Sequence, residues 1–409
     1  MITLQDALQR ARAINPQFQS AVTDFGVTHE DKVQARATLL PSVNQTTEFI
    51  YTEGNQTPSG RFIANNGVHE YLAQGNAHQV ISLGSFADYR RTRAAEAVAR
   101  ARTEIAARGL VVTVVQSYYG LVIAQRKYAT AQQAAAESQR FFTITQQLES
   151  GGEVARSDVI KADLHNQQVQ RELQEAQLAM EKARLDLAVL LFPNFTENFT
   201  VVDDLRPPAN LPSFSAVQGM AGQKNPQLAE ALAAVQQASA ELGAARAGYL
   251  PSLSFDYFYG IDANHFATRS SLPEFPFGVF NLGYAATVSL TVPVWNWGAT
   301  HSKVKQAALR QRQAKLELSA AQRELLANLR SFYNEAQIAR AELESLARSA
   351  QMAAESLRLT TLRYQAGEAT VLEVVDAQNT LTQSSNAYDE GQLRFRTGLA
   401  NLQTLTGSF

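Results

Sequence analysis

The sequence predicts a mainly α-helical chain that also contains a few strands able to cross a membrane, arranged as a duplicated half. The first observation is that two tripeptides recur 210 positions later: Asn15-Pro16-Gln17 as Asn225-Pro226-Gln227, and Leu40-Pro41-Ser42 as Leu250-Pro251-Ser252. A solenoid would repeat every few tens of residues, so this is a duplication instead. The second observation is the presence of very long helical stretches. The third is a set of four segments in which polar and apolar residues alternate. We expect two structural repeats, residues 1–213 and 214–409.

The first repeat is predicted to begin with a helix from about Leu4 to Leu39, which ends because Pro41 cannot continue the ladder of backbone hydrogen bonds. Two strands are expected at about residues 43–52 and 78–86, where polar and apolar side chains alternate between two faces. The Gly- and Asn-rich stretch 54–75 between them is predicted to be a loop.

A very long helix is predicted next, from about Asp88 to Glu149, because no strong helix breaker interrupts it. Gly151 and Gly152 then form a turn, and a return helix runs to about Leu191, with Ser157 and Asp158 as candidate N-caps. Residues 192–213 contain four prolines, so they are predicted to form an irregular junction between the repeats.

The second repeat is predicted to follow the same order: a helix at 215–249, strands at 252–261 and 284–294, a long helix at 299–364, a turn at Gly367 and a final helix at 372–405. The long helix carries an apolar heptad seam, formed by Leu325, Leu329, Phe332, Ala336, Ala339, Leu343, Leu346, Ala350, Ala353 and Leu357. A narrow stripe of this length needs another long helix as its partner, so each glycine turn should close an antiparallel hairpin.

The strands are about ten residues long, which is the length of a tilted transmembrane strand. Aromatic residues near their ends predict a membrane-interface girdle, and the candidates are Tyr51, Tyr257, Tyr259, Trp295 and Trp297. Four strands cannot close a barrel, which takes about eight, and lipid does not tolerate open sheet edges. Two copies would give a barrel filled by side chains, and three would leave a channel. Polar inward faces favour three.

The composition excludes several classes of function. The net charge of −2 gives no electrostatic support for nucleic-acid binding. The chain has no cysteine and only six scattered histidines, so we expect no metal site and no cofactor. No nucleophile–base constellation or phosphate loop is present, and we expect no enzymatic activity. No signal peptide is visible before the first helix; an exported form would have lost it.

With these features in place, the sequence resembles the TolC-type outer-membrane efflux family. The resemblance lies in the opening Ile2 to Leu8 with Asn15-Pro16, in both Leu-Pro-Ser sites, and in the segment from Gly367 to Asp376. It covers essentially the whole chain. The family implies a homotrimer with a twelve-stranded β-barrel in the outer membrane and a long α-helical tunnel in the periplasm. It also implies docking to a periplasmic adaptor (membrane fusion protein) and an inner-membrane transporter of the RND, ABC or MFS type.

The resemblance also implies a gate at the tunnel tip. Glu373 and Asp376 match the acidic residues that form rings across the threefold axis, although both are also ordinary acids for a helix start. Tyr364 and Asp158 match the Tyr and Asp of a closing network, whose Arg position falls on Ala369. Arg156 is the candidate substitute. Gly151, Gly152 and Gly367 would mark the adaptor-docking tips.

Two functions therefore remain after the sequence is read. The first is a passive outer-membrane exit duct of a tripartite efflux system, or of a type I secretion system with protein as cargo. The second is a soluble or peripheral coiled-coil scaffold, which would purify without detergent. The predicted membrane strands favour the duct, and the sequence does not separate the two kinds of cargo.

Overall fold

The computed structural model describes residues 1–51, 69–194, 198–205, 211–272 and 275–407. The chain divides into two compact units. Unit 1 consists of Met1–Thr23, Ala101–Ala229 and Ala320–Phe409, and unit 2 consists of Asp24–Arg100 and Glu230–Ser319. The helices are α1 Leu4–Ile14, α2 Pro16–Ala37, α3 Leu83–Ser150, α4 Arg156–Leu191, α5 Phe214–Lys224, α6 Pro226–Ala247, α7 Ala299–Gln365 and α8 Val371–Thr406. The strands are β1 Ser42–Tyr51, β2 His69–Ile81, β3 Ser252–Ala263, β4 Arg269–Leu272, β5 Phe275–Phe280 and β6 Leu282–Thr291.

The first helix of each repeat is broken where a single helix was predicted. Asn15 ends α1 in an extended conformation, and its side chain accepts a hydrogen bond of 2.8 Å from the Phe18 N–H at the start of α2. Asn225 does the same for Leu228 at 2.8 Å. Asn is a favoured N-cap and proline a favoured first helical residue. The repeated Asn-Pro is therefore a helix-to-helix junction, and the expectation of unbroken helices was wrong.

The strand β2 was misplaced by the sequence analysis. It begins at His69 and ends at Ile81, whereas residues 83–86 already belong to α3. The reason is pairing, because β1 pairs with β2 along the whole length of β1, from Ser42 opposite His78 to Tyr51 opposite His69. Residues 69–75, which were predicted to be loop, belong to β2 because they pair with β1. The rest of that predicted loop, from 54 to 68, and the last predicted residue of the first strand, 52, lie outside the described residues.

The second repeat holds two strands that the sequence analysis missed, β4 and β5, which pair with each other between β3 and β6. Strand β6 ends at Thr291, three residues before the predicted end at Val294. Helix α4 begins at Arg156, and its N-cap is Ala155 without any side-chain hydrogen bond, so Ser157 and Asp158 are not caps. The other predicted boundaries of α3, α7 and α8 agree with the structure to within a few residues.

Unit 2 contains an antiparallel four-stranded sheet in the order β1-β2-β3-β6. Its register puts mostly polar side chains on one face, including Asn44, Thr46, Glu48, Gln74, Asn76, His78, Ser254, Asp256, Thr287 and Ser289. The opposite face is mostly apolar and includes Val43, Phe49, Tyr71, Leu253, Phe255, Tyr257, Tyr259, Tyr284, Val288 and Leu290. Antiparallel sheets can face two different media in this way.

Unit 1 is built from the paired halves of the long helices. Every residue of the predicted heptad seam in α7 is buried or half-buried, which confirms the seam. It packs against α8, where Phe395 joins Ala339 and Leu343 in one core cluster. A larger cluster joins α1, α3 and α4 to the junction after α4. There the Tyr118 hydroxyl lies 2.8 Å from the Val202 carbonyl oxygen and 3.0 Å from that of Ile2.

Helix α3 contains the one stretch among the described helices that is long and apolar enough to cross a membrane by composition. Half of that stretch is buried inside the protein. Leu110 to Ile123 contribute many residues to the larger core cluster, and Val114, Tyr118 and Leu121 are fully buried there. A core helix passes the same test, and packing accounts for this apolar stretch.

The sheet generates a prediction at Gly260, which lies opposite Gly283 in the register of β3 and β6. A Cβ atom at Gly260 would lie 2.1 Å from the Ala73 carbonyl oxygen, whereas one at Gly283 would meet nothing within 4 Å. Gly260→Ala should therefore cost about 1–3 kcal/mol of overpacking and reduce the amount of folded protein recovered. Gly283→Ala is the matched control, and equal recovery of the two variants would contradict this close approach.

Candidate functional site

The two turns that join the long helices are built alike in unit 1. In the first turn, Glu153 N–H donates to the Leu148 carbonyl and Gly152 N–H to that of Glu149, at 2.9 Å each. In the second, Glu368 and Gly367 bond in the same pattern to Arg363 and Tyr364, at 2.8 and 3.0 Å. This is the Schellman arrangement of a helix end, which needs a left-handed residue.

That left-handed residue is glycine in both turns. Gly152 has a φ of 77° and Gly367 a φ of 78°, and a Cβ atom at either position would meet nothing within 4 Å. Gly151 has no positive φ, so the backbone of the turn does not require glycine there. The sequence analysis placed both turns correctly. The structure adds that space is open around each of the two glycines, so a side chain that tolerates the conformation could be accommodated.

Glu373 is held by the start of its own helix. Its backbone N–H donates to Thr370 Oγ1 at 3.3 Å, and its carboxylate accepts a hydrogen bond from the Thr370 N–H at 3.3 Å. Together they form a capping box. The carboxylate also lies 3.6 Å from the Arg363 guanidinium, which donates to the Glu368 carbonyl at 3.0 Å. Asp376, one turn later, is exposed. The chain therefore brings Glu373 into a capping role and leaves Asp376 to solvent.

Tyr364 is buried at the tip, with 4% of its surface exposed. Its hydroxyl donates to Thr145 Oγ1 at 3.1 Å, and its ring meets that of Phe141 edge-on at 5.0 Å between centroids. Burial raises the pKa of Tyr364; the hydrogen bond to Thr145 opposes the shift, and the charge of Asp158 adds to it. The apolar cluster at this point, called here the tip cluster, consists of Phe141, Ala162, Tyr364, Val371 and Val374.

The remaining predicted members of a closing network do not meet. Arg156 lies 3.6 Å from Glu149 across the first turn and is 79% exposed at its side chain. Asp158 pairs with Lys161 at 3.1 Å on its own helix. Ala369 packs against the tip cluster instead of supplying a charge. Within the part of the chain that the structure describes, no Tyr–Arg–Asp network connects the two hairpins, and apolar packing joins them.

A buried polar link that the sequence analysis missed lies below the tip cluster. His165 Nε2 on α4 lies 2.9 Å from Gln378 Oε1 on α8, and burial lowers the pKa of His165 against the opposing effect of that hydrogen bond. The neighbouring Asn166 donates to Gln139 Oε1 at 2.9 Å. These groups tie α4 to α8 and to α3, and no sequence pattern connects positions that are this far apart.

A second missed feature is an ionic network around Arg126 of α3. Its guanidinium contacts both carboxylate oxygens of Asp203, at 2.6 and 2.7 Å, and Asp389 of α8 at 3.1 Å. Burial alone would raise the pKa of Asp203, but the hydrogen bonds from Arg126 and from the Leu205 N–H, together with the charge of Arg126, outweigh burial and lower that pKa. At the more buried Asp389, burial prevails and raises the pKa. The network joins the junction after α4 to the two hairpins within unit 1.

The five predicted interface aromatics are all exposed. Tyr51, Tyr257 and Tyr259 lie on the apolar face of the sheet, as their register requires. Trp295 and Trp297 lie between β6 and α7, 74% and 89% exposed, with their rings edge-on at 5.8 Å. Exposed aromatic rings on an otherwise apolar face are typical of a membrane interface.

Among the described residues, no group of three or more His, Cys, Asp or Glu side chains could hold a metal ion. The profile of a protein family described as "Outer membrane efflux protein" matches residues 7–191 and 218–408. The chain belongs to this family. It is an outer-membrane channel protein with a large periplasmic portion, and it serves as an exit duct for efflux or secretion.

Individual proteins in these comparisons are distant in sequence. The alkaline protease secretion protein AprF of Pseudomonas aeruginosa is 23% identical over 423 residues, covering 99% of this chain and 84% of that protein. The outer membrane protein TolC of Vibrio cholerae is 24% identical over 415 residues, covering 99% and 90%. The crystal structure of the Campylobacter jejuni CmeC outer membrane channel has a TM-score of 0.82 at 18% identity, covering 99% of this chain and 85% of that chain.

Proposed function

We propose that three copies of this chain form a passive conduit whose sheets close into one twelve-stranded barrel. The observation that carries this is the four-stranded sheet with one polar and one apolar face. Its outer strands, β1 and β6, each have one partner among the described strands. In lipid an unpaired edge costs several kcal/mol for each backbone group left without a partner. Pairing β1 of one copy with β6 of the next removes every edge and encloses the polar faces.

The helices support the same assembly. Large apolar side chains are exposed on α4 and α7 in a single chain, among them Ile160, Leu164, Leu178, Val189, Leu309 and Leu316. A water-exposed protein rarely leaves this many apolar side chains uncovered on one element. Neighbouring copies of the same helices would cover them, as expected for a tunnel wall of coiled coils.

The conduit would act with a periplasmic adaptor and an inner-membrane transporter, as the resemblance to the TolC-type family implies. The two Schellman turns are the proposed docking points, because rigid loop tips are natural recognition sites. Membership of a family named for efflux and similarity to a protein named for protease secretion leave both small-molecule and protein cargo open. The two structural repeats, 1–213 and 214–409, would be the units that surround the tunnel in alternation.

The conducting trimer has a direct test in planar lipid bilayers. Detergent-purified protein should have the mass of three copies and give stable single-channel currents. A soluble monomer in plain buffer without conductance would indicate the coiled-coil scaffold instead.

Asp376 is the proposed gate carboxylate, since Glu373 is engaged by Thr370 and Arg363. Multivalent cations added on the periplasmic side should block the current through a ring of carboxylates.

The same recordings separate the two acids. Asp376→Asn should abolish the block by multivalent cations. Glu373→Gln should leave most of the block and keep the capping box, because a glutamine oxygen can still accept from the Thr370 N–H. An unchanged block in Asp376→Asn would remove this residue from the gate. Loss of the block only in Glu373→Gln would show that Glu373 leaves its cap in the trimer.

The docking points have a test that spares the turns. Asn tolerates left-handed backbone better than other non-glycine residues, and the space around both glycines is open. Gly152→Asn with Gly367→Asn should therefore keep the trimer and its conductance but weaken binding of the purified adaptor. Gly219→Asn on α5, where a Cβ atom also meets nothing within 4 Å, is the control. Adaptor binding at the control level in the double variant would exclude the tips as docking points.

A further inference from the structure

All four helices connected to the sheet meet it at the same end. Ser42 pairs with His78, Ile81 with Leu253 and Ser252 with Thr291, so the strand ends that join helices all lie at one end of the sheet. The chain has a large periplasmic portion, and these helices lead into it. This end of the sheet is therefore the periplasmic end, next to the inner leaflet of the outer membrane.

An exposed apolar belt lies at the periplasmic end of the sheet. Ile81 on the apolar face of β2 is 54% exposed, and Leu83 and Phe86 at the start of α3 are also exposed. After β6, the exposed apolar residues are Val292, Val294, Trp295 and Trp297. Side chains of this kind would be unfavourable in water, whereas aromatic rings are favoured at the level of lipid headgroups.

Exposed cations follow the belt on both α3 and α7. On α3, Arg90 and Arg93 lie four and seven residues after Phe86, which places all three side chains on one exposed face. On α7, Lys303 and Lys305 are exposed within the first two turns after Trp297. At about 1.5 Å per residue, these cations lie roughly 5–15 Å from the helix starts.

The charge of these segments is not balanced from within. Between Phe275 and Leu316 the chain has five Lys and Arg and no Asp or Glu. Neither α3 nor α7 has an acid in its first turn. Within the described ranges no carboxylate lies at ion-pair distance from Arg90, Arg93, Lys303 or Lys305, whereas Arg91 pairs with Asp88 at 3.0 Å. Unpaired cations beside an apolar belt are complementary to an anionic headgroup under its acyl chains.

We propose that Arg90, Arg93, Lys303 and Lys305 bind anionic phospholipid, such as phosphatidylglycerol, in the periplasmic leaflet around the barrel. The lipid phosphate would contact the cations, and its acyl chains would cover Phe86, Val294 and the two tryptophans. Arginine forks bind phosphate in a bidentate manner, and lysines add point charges. The proposal rests on the conduit function, since it requires the sheet to lie in lipid.

The chain supplies its own reporter for this belt, because Trp295 and Trp297 are its only two tryptophans. The protein is reconstituted in phosphatidylcholine vesicles that contain equal fractions of either brominated phosphatidylglycerol or brominated phosphatidylcholine. Bromine quenches tryptophan fluorescence at short range. Brominated phosphatidylglycerol should quench more strongly, with a relative binding constant about fivefold higher for each cation that meets a headgroup.

The variant Arg90→Gln/Arg93→Gln/Lys303→Gln/Lys305→Gln should lose this excess quenching and keep the quenching by brominated phosphatidylcholine. The matched control removes two arginines and two lysines that are exposed in unit 1, as Arg12→Gln/Arg171→Gln/Lys182→Gln/Lys224→Gln. It should retain the excess, and 0.5 M salt should reduce it in the wild type by screening, at a Debye length of about 4 Å.

The outcomes separate this proposal from the conduit function. Equal quenching by the two brominated lipids in a conducting protein would overturn the preference for anionic lipid and leave the conduit intact. Excess quenching that persists in the quadruple variant would place the anionic lipid on other residues and overturn the assignment. Absence of quenching together with absence of conductance would contradict the conduit itself.

Discussion

The structure depends most on the requirement that backbone hydrogen bonds be satisfied in lipid. A four-stranded sheet satisfies its two inner strands completely and leaves β1 and β6 with one free edge each. Water would hydrate those edges, but acyl chains cannot. This requirement links the polar face, the apolar face and the exposed helix stripes in one explanation. The proposed closed barrel of several copies would hide the edges, turn the polar face inward and bring the apolar helix stripes together.

The strands and the hairpin turns could be predicted from the sequence, but some boundaries could not. Alternation identified β1, β3 and β6, and glycine identified the two turns whose φ values are 77° and 78°. The start of β2 could not be found, because His69 to Gly75 has weak alternation and becomes a strand only through its partners on β1 and β3. The helix break at Asn15-Pro16 had a local signal that was overlooked, since the residue before a proline is biased away from helix.

The tip shows the limits of transferring a family pattern. Tyr364 and Asp158 occupy the matched positions, yet the Tyr364 hydroxyl binds Thr145 and Asp158 binds Lys161. Ala369, in the position of an arginine, adds to the apolar cluster around Phe141 and Val374. An apolar contact is insensitive to salt, whereas an ionic latch is weakened by it. Contacts such as Arg126 with Asp389 are tertiary, and no sequence period predicts them.

The most direct test of the account is disulfide cross-linking between β1 of one copy and β6 of the next. The 409 residues contain no cysteine, so a cross-link can be assigned to the introduced pair. Thr46→Cys is combined in turn with cysteine at Ala285, Thr287, Ser289 or Thr291, which lie on the same face of the sheet and cover the possible registers. The account predicts that oxidation of one combination or two adjacent ones yields three covalently joined copies, within the Cα separation of about 4.4–6.8 Å that a disulfide needs. Absence of cross-links in every combination, or products that stop at two copies, would contradict edge-to-edge closure of the barrel.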